Sequence, residues 1–202
     1  MQKLPEPYQS LFEAVLWDSG AEAIPELVRK GADLNYVDPN LGRTALYSAC
    51  ITDRVRVVEA LLHHGADATQ RFTYRSPVDK RVEADVTALH YAASPAAIEA
   101  LVRAGADANA ADATGTTPLM RAAFVGRTHV VKVLLAAGAS PLARQKNHRG
   151  RTPRTARELA ESKIELFRGM SSSQNREAVE SRMRCYEETR DILLEAERRV
   201  AV

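Results

Sequence analysis

Residues 117–140 read TPLMRAAFVGRTHVVKVLLAAGAS, and this stretch decides the architecture. Thr117 stands where a helix N-cap belongs, and Pro118 takes the first helical position, where its missing amide hydrogen costs nothing. Val130, Val131, Val133, Leu134 and Leu135 carry apolar residues at helical spacing as far as Gly138, which supplies the left-handed residue that stops a helix. The stretch is therefore a short helix, a second helix antiparallel to it and a terminating Gly-Ala-Ser. Ala122 and Ala123 are small enough to let the two helices approach closely.

The same grammar recurs upstream. Gly-Ala-Asp stands at Gly31, Gly65 and Gly105, and with Gly138 the spacings are 34, 40 and 33 residues. Helical apolar runs precede each glycine: Ile24, Leu27 and Val28, then Val57, Val58, Leu61 and Leu62, then Ile98, Leu101 and Val102. Short first helices are expected at Thr44-Ala45-Leu46-Tyr47-Ser48-Ala49 and at Thr87-Ala88-Leu89-His90-Tyr91-Ala92-Ala93. One such unit cannot bury its apolar face alone, so stacking of neighbours makes the core.

A unit of about 33 residues made of turn, helix, helix and Gly-Ala-Asp resembles the ankyrin repeat. Its Thr-Pro-Leu-His opening is nearly met at Thr87 to His90 and at Thr117 to Met120. The resemblance implies an all-α solenoid of about five helix-turn-helix units over 1–202 as a single domain. A capping repeat is expected at 8–35, internal repeats at 36–69, 70–109 and 110–141, and a C-terminal cap and helix over 142–202. Phe12, Val15, Leu16 and Trp17 are expected to form the N-terminal cap. In the last unit Thr155, followed by Ala156, Leu159 and Ala160, opens a helix better than Thr152. Further on, Val179, Met183, Tyr186 and Leu193 form one apolar stripe, expected to pack as a cap because it is short for a coiled coil.

The second internal repeat departs most from this pattern. About seven extra residues lie between Asp67 and Thr87, and the turn Ser94-Pro95-Ala96 is about three short. Phe72 and Tyr74 alternate with polar residues, as do Val82, Ala84 and Val86, and Ser76-Pro77-Val78-Asp79 carries Pro where a turn favours it. An extended β-hairpin-like finger is expected. Its Arg71, Phe72, Tyr74, Arg75, Lys80 and Arg81 have the aromatic and Arg composition of binding hot spots, the alternative being aromatics folded back on the array. Arg144, Lys146, His148, Arg149, Arg151, Arg154 and Arg157 make a second basic cluster. In ankyrin proteins the finger tips and exposed faces of the first helices form a concave partner surface, and the resemblance adds Arg43, Ile51, Thr52, Phe124 and Val125 to it.

Charge is distributed unevenly behind a net +2: segments 1–70, 71–157 and 158–202 carry −4, +8 and −2. A basic centre between acidic flanks favours an acidic partner, and 22 of the 28 basic residues are Arg, suited to bidentate contacts. Apolar residues at 45% and charged residues at 27% exclude a disordered class. The opening MQKLPEPYQS has no secretory signal pattern, and no apolar run approaches the roughly 18–20 residues that cross a bilayer. Cys50 and Cys185 are too few and too far apart for a disulfide framework, which favours a reducing cytoplasm.

No metal or cofactor is expected. Histidines 63, 64, 90, 129 and 148 share no ligand spacing, and His90 falls where the ankyrin imidazole bonds within its own turn. No phosphate loop, HExxH or nucleophile elbow occurs, so enzyme activity finds no motif. The expectation is a monomeric, non-enzymatic binder of an acidic protein, an enzyme or toxin among the candidates, acting as inhibitor, immunity protein or adaptor. Small free-standing ankyrin chains rich in Ala and Arg resemble bacterial ones. The alternative, nucleic-acid binding through the Arg-rich fingers, has no supporting motif and only a modest net charge.

Overall fold

Threonine starts the first helices where the sequence places it. Thr44 Oγ1 accepts the Tyr47 amide at 3.1 Å, and Thr117 Oγ1 accepts the Met120 amide at 3.3 Å. Thr87 closes its turn through His90, whose Nδ1 accepts the Thr87 amide at 3.1 Å. The computed structural model describes residues 4–75, 81–147, 152–169 and 176–201. Its contacts group the chain into two compact units, Met1–Ala113 and Thr114–Val202, each built of helical repeats.

The first unit holds α1 (Tyr8–Ala14), a 3₁₀ turn (Asp18–Ala23), α2 (Ile24–Arg29), α3 (Ala45–Ile51), α4 (Val55–His63), β1 (Phe72–Arg75), β2 (Val82–Val86), a second 3₁₀ turn (Ala88–Tyr91) and α5 (Pro95–Arg103). α1, α3 and the second 3₁₀ turn form one layer, and α2, α4 and α5 the other. Leu11, Ile24, Val57, Val58, Leu61, Ile98 and Leu101 are buried between them, each worth about 1.5–3 kcal/mol of transfer free energy for the larger side chains. The turns after the second helices also stack. Asp33, Asp67 and Asp107 each accept a backbone N–H two residues on, at 2.9, 2.8 and 2.8 Å. Asn35 Oδ1 accepts the Asp67 amide of the next repeat at 2.8 Å.

Two expectations fail in this unit. The helix expected at Thr87–Ala93 is only a four-residue 3₁₀ turn. Pro95 at the start of α5 holds Ser94 in extended backbone (φ −127°, ψ 158°), so the shortened connection leaves no room for another helical turn. In the N-terminal cap, Leu11, Phe12 and Val15 are buried, whereas Leu16 and Trp17 are exposed. α1 ends at Ala14, before those two residues can join its apolar face.

The second unit holds α6 (Pro118–Val125), α7 (Thr128–Ala136), α8 (Ala156–Gly169) and α9 (Arg176–Val200). α6 packs beside α8 and α7 beside α9, so α8 and α9 continue the first-helix and second-helix rows in lengthened form. Thr155 opens α8 through a reciprocal cap: its amide donates to Glu158 Oε2 at 2.8 Å, and Glu158 N–H donates to Thr155 Oγ1 at 3.3 Å. Along α9, Tyr186, Thr189 and Leu193 are buried, with Val179 and Met183 half-buried. This is the expected stripe, with Thr189 as a polar member whose Oγ1 lies 3.0 Å from Thr128 Oγ1. Arg157 ties α8 to α9 through Glu197 at 2.8 Å and pairs with Glu161 at 2.6 Å. The hydrogen bond to Glu197 comes first among the causes that raise its guanidinium further.

Candidate partner-binding surface

The finger of the first unit is an antiparallel hairpin with register Phe72↔Val86, Tyr74↔Glu83 and Arg75↔Val82. One extra residue in β2 opposes the step from Phe72 to Tyr74, and Asp85 there takes φ 59°. Such a bulge shifts the alternation of faces by one residue. Glu83 and Val86 consequently share the face of Phe72 and Tyr74, although they are three apart. Val82, expected on one face with Ala84 and Val86, is instead 59% exposed, while Val86 is buried.

That shared face turns inward. Phe72, Tyr47 and Val86 form a buried cluster against which Tyr74 and Tyr91 pack. Tyr47 meets Phe72 edge-on at 5.3 Å, Tyr91 edge-on at 4.8 Å and Tyr74 at a tilt at 5.1 Å between ring centroids. Tyr91 Oη–H donates to Glu83 Oε2. Burial, reinforced by the Tyr74 and Tyr91 phenols, pushes the Tyr47 hydroxyl far above the usual phenol range. Tyr47 stands at the place of His90 in its own Thr-Ala-Leu opening, so an aromatic at that position roots the finger. Phe72, 6% exposed, is withdrawn from the contact set. The folded-back alternative describes both it and Tyr74.

Both flanks of the hairpin are fastened. The Arg75 amide donates to Leu41 O at 2.8 Å, and the Ala113 amide donates to Ala84 O at 3.0 Å. Arg71 donates through Nη1 to Asp85 O at 3.0 Å and to Ala111 O at 2.8 Å, which makes it a clamp between neighbouring fingers. Gly42, at φ 67°, lets the first finger close on β1: a Cβ there would stand 1.8 Å from Thr73 O. Arg43 also holds structure together, with its guanidinium 5.5 Å from the Phe12 ring centroid and Nε 3.5 Å from Asp38.

Among the described residues of the finger, the cross-strand pair Arg75 and Val82 stands outward, with exposed Arg81 beside them. Arg81 lies 3.9 Å from Glu83. Ile51 and Thr52 are exposed at the end of α3. Lys80 and the turn Ser76-Pro77-Val78-Asp79 lie outside the described residues. Sequence reasoning missed Val82; the signal available was an isolated valine between charged neighbours.

In the second unit Phe124 is 45% exposed, with Lys163 Nζ 3.9 Å from its ring centroid, and Val125 is exposed beside it. The basic cluster is smaller than its count. Arg144 donates to Pro153 O at 3.2 Å and forks onto Glu158 at 3.1 and 3.4 Å. Glu158 is held below the usual carboxylate range, first by the Thr155 amide and also by Arg144. Lys146 and Arg154 are exposed; His148, Arg149 and Arg151 lie outside the described residues.

Among the described residues no group of three or more His, Cys, Asp and Glu side chains could hold a metal ion. No described helix is long and apolar enough to cross a membrane. Cys50 is buried, and that burial pushes its thiol well above the usual range, opposite to the shift that activates a nucleophile.

Comparison with known proteins agrees with the repeat geometry. The family profile described as ankyrin repeat matches residues 41–71, and that described as ankyrin repeats in three copies matches 74–145. Human ankyrin repeat and SOCS box protein 6 is 34% identical over 129 residues, 60% of this chain and 29% of its own length. Human SH3 and multiple ankyrin repeat domains protein 2 is 35% identical over 109 residues, 52% of this chain and 5% of its own. The neurogenic locus Notch protein of Drosophila melanogaster is 35% identical over 124 residues, 60% of this chain and 4% of its own. The chain thus spans less than a third of each of these animal proteins, and they lend no support to a bacterial origin.

Proposed function

Because this chain carries ankyrin repeats, a fold that serves as a protein-interaction module, we propose that it binds an acidic partner protein without catalysing a reaction, as an inhibitor, immunity protein or adaptor. The observation that carries this reading is the outward face of the finger. Arg75, Val82 and Arg81 are presented on a hairpin rooted by four aromatic side chains and fastened on both flanks. A rigid platform loses little conformational freedom on binding. An apolar side chain ringed by arginines suits an acidic surface with an apolar residue at its centre.

The same geometry weighs against phosphate binding. Arg71 and Arg144 already donate to this chain's own carbonyls and to Glu158, so the clusters counted in the sequence present fewer outward cations than their number suggests. Nonspecific nucleic-acid affinity rises with the number of phosphates neutralised.

The test is affinity capture from lysate at low salt, with nuclease, comparing the natural chain with the Arg75→Glu/Arg81→Glu variant. A stoichiometric acidic protein retained by the first and lost by the second supports the reading. Equal retention, or recovery abolished by nuclease, overturns it.

A further inference from the structure

The N-terminal cap leaves its largest apolar side chain in water. Trp17 is 66% exposed and Leu16 is exposed beside it, while Leu11, Phe12 and Val15 immediately before them are buried. Placing the largest apolar side chain in water forgoes a transfer free energy of about 2–3 kcal/mol. Departures from local consistency of this kind concentrate at functional positions.

The exposure is built into the backbone. α1 ends at Ala14, and the Leu16 and Trp17 amides donate back to Glu13 O at 3.2 Å and Ala14 O at 3.3 Å. The Gly20 amide then donates to Trp17 O at 2.9 Å. Gly20 sits so close to Ala14 that a Cβ on it would stand 1.8 Å from Ala14 O. The chain therefore makes a tight reversal that offers Leu16 and Trp17 outward from its bend.

Charge selects the occupant. From 4 to 28 the sequence holds five carboxylates, Glu6, Glu13, Asp18, Glu22 and Glu26, and no Lys or Arg. Glu26 pairs with Arg29 at 2.5 Å and with Lys30 at 3.7 Å, and exposed Glu22 lies 3.7 Å from Arg56. Glu13, exposed one turn before Trp17, accepts from the Gln9 amide group at 2.9 Å. An apolar pair in an acidic field repels phosphate-bearing surfaces, both anionic lipid and nucleic acid, and complements a cationic peptide.

We propose that Leu16 and Trp17, with Glu13 and Glu22, form a second docking surface for a basic segment of a partner protein that carries apolar side chains. It is independent of the finger and opposite to it in charge preference. A chain with both surfaces can hold an acidic and a basic partner through different residues.

Trp17 is the sole tryptophan of the chain, so its emission reports on the proposed surface directly. In the intact protein, caesium should quench Trp17 more efficiently than iodide does, relative to free N-acetyltryptophanamide. Equal quenching by both ions overturns the acidic surface. A 14-residue amphipathic peptide of Leu and Lys should shift the emission to the blue and saturate, while its Leu and Glu counterpart and an all-Lys peptide should not.

With the Leu and Lys peptide fluorescently labelled, anisotropy should show about thirtyfold weaker binding to Trp17→Ala, the loss expected of a hot-spot side chain. Glu13→Lys/Glu22→Lys should also weaken it, while Arg75→Glu/Arg81→Glu should leave it unchanged. Absence of any shift with the Leu and Lys peptide overturns the proposal, as does an equal response to the Leu and Glu peptide. A red shift when the protein alone is diluted would assign the surface to a second copy, and a blue shift with neutral phosphatidylcholine vesicles would assign it to a membrane; either overturns the peptide assignment.

Discussion

The two ends of the chain solve the same problem differently. A repeat array must shield its last apolar layer. The C-terminal end does so with the 25-residue α9, which buries Tyr186, Thr189 and Leu193 against its own unit and ties itself down through Thr128 and Arg157. At the N-terminal end the seven-residue α1 buries Leu11 and Phe12, Val15 is buried just after it, and the chain then turns Leu16 and Trp17 to water. The difference teaches that apolar content does not measure how completely a cap is used. Both ends leave apolar surface in water, Leu166 and Val200 at one and Leu16 and Trp17 at the other, but the N-terminal end exposes the tryptophan.

The largest expected contrast follows directly. Leu193→Ala empties a fully buried site and should cost about 2–5 kcal/mol, seen as a lower urea midpoint by far-ultraviolet circular dichroism. Trp17→Ala removes a larger side chain, yet should change stability by only about 0.5 kcal/mol in either direction. A Trp17 variant as damaging as the Leu193 variant would mean that the N-terminal cap is packed like the other.

This contrast also marks where the sequence was legible. The helical repeat character, helix caps, the Thr155 start of α8 and the α9 stripe rest on signals within a few residues, such as Thr before an apolar run or spacings of three and four. The finger was legible as a hairpin but not in its facing. Phe72 is claimed by Tyr47, 25 positions earlier in a neighbouring repeat, and the bulge at Asp85 exchanges the faces of Val82 and Glu83. No local alternation reveals either. The arginine clusters misled by count because Arg71 and Arg144 find acceptors 40 and 14 residues away. Alternation with polar residues places Leu16 and Trp17 in the cap, and the early end of α1 sets them free.

Gly20→Ala attacks the reversal itself. The added methyl meets backbone, not a flexible side chain, so the bend must open, at a cost of about 1–3 kcal/mol. The informative readout is Trp17 emission: a relaxed bend lets the indole settle elsewhere, and the spectrum should move at urea concentrations where circular dichroism has not. Alanine at Gly169, whose added Cβ would meet nothing within 4 Å, is the matched control at the other end. Coincident transitions in the Gly20 variant would show that the bend is an inseparable part of its unit.

The smallest effect probes how the C-terminal cap is held. Glu158 accepts the Thr155 amide and faces Arg144, and these contacts keep its carboxyl below the usual range. A group whose pKa is lowered by folding stabilises the fold fully above its unfolded value, near 4.3, and loses that contribution as pH falls through the folded value. Glu158→Gln keeps an acceptor for the cap but removes the charge. It should cost about 0.5 kcal/mol at pH 7, a modest figure because solvent screens the partly exposed pair. The gap between variant and natural chain should narrow steadily below pH 4 as the natural carboxylate takes up its proton. A constant gap from pH 7 to pH 3 would assign the role of Glu158 to hydrogen bonding alone, and the charge on Arg144 would then add nothing to the cap.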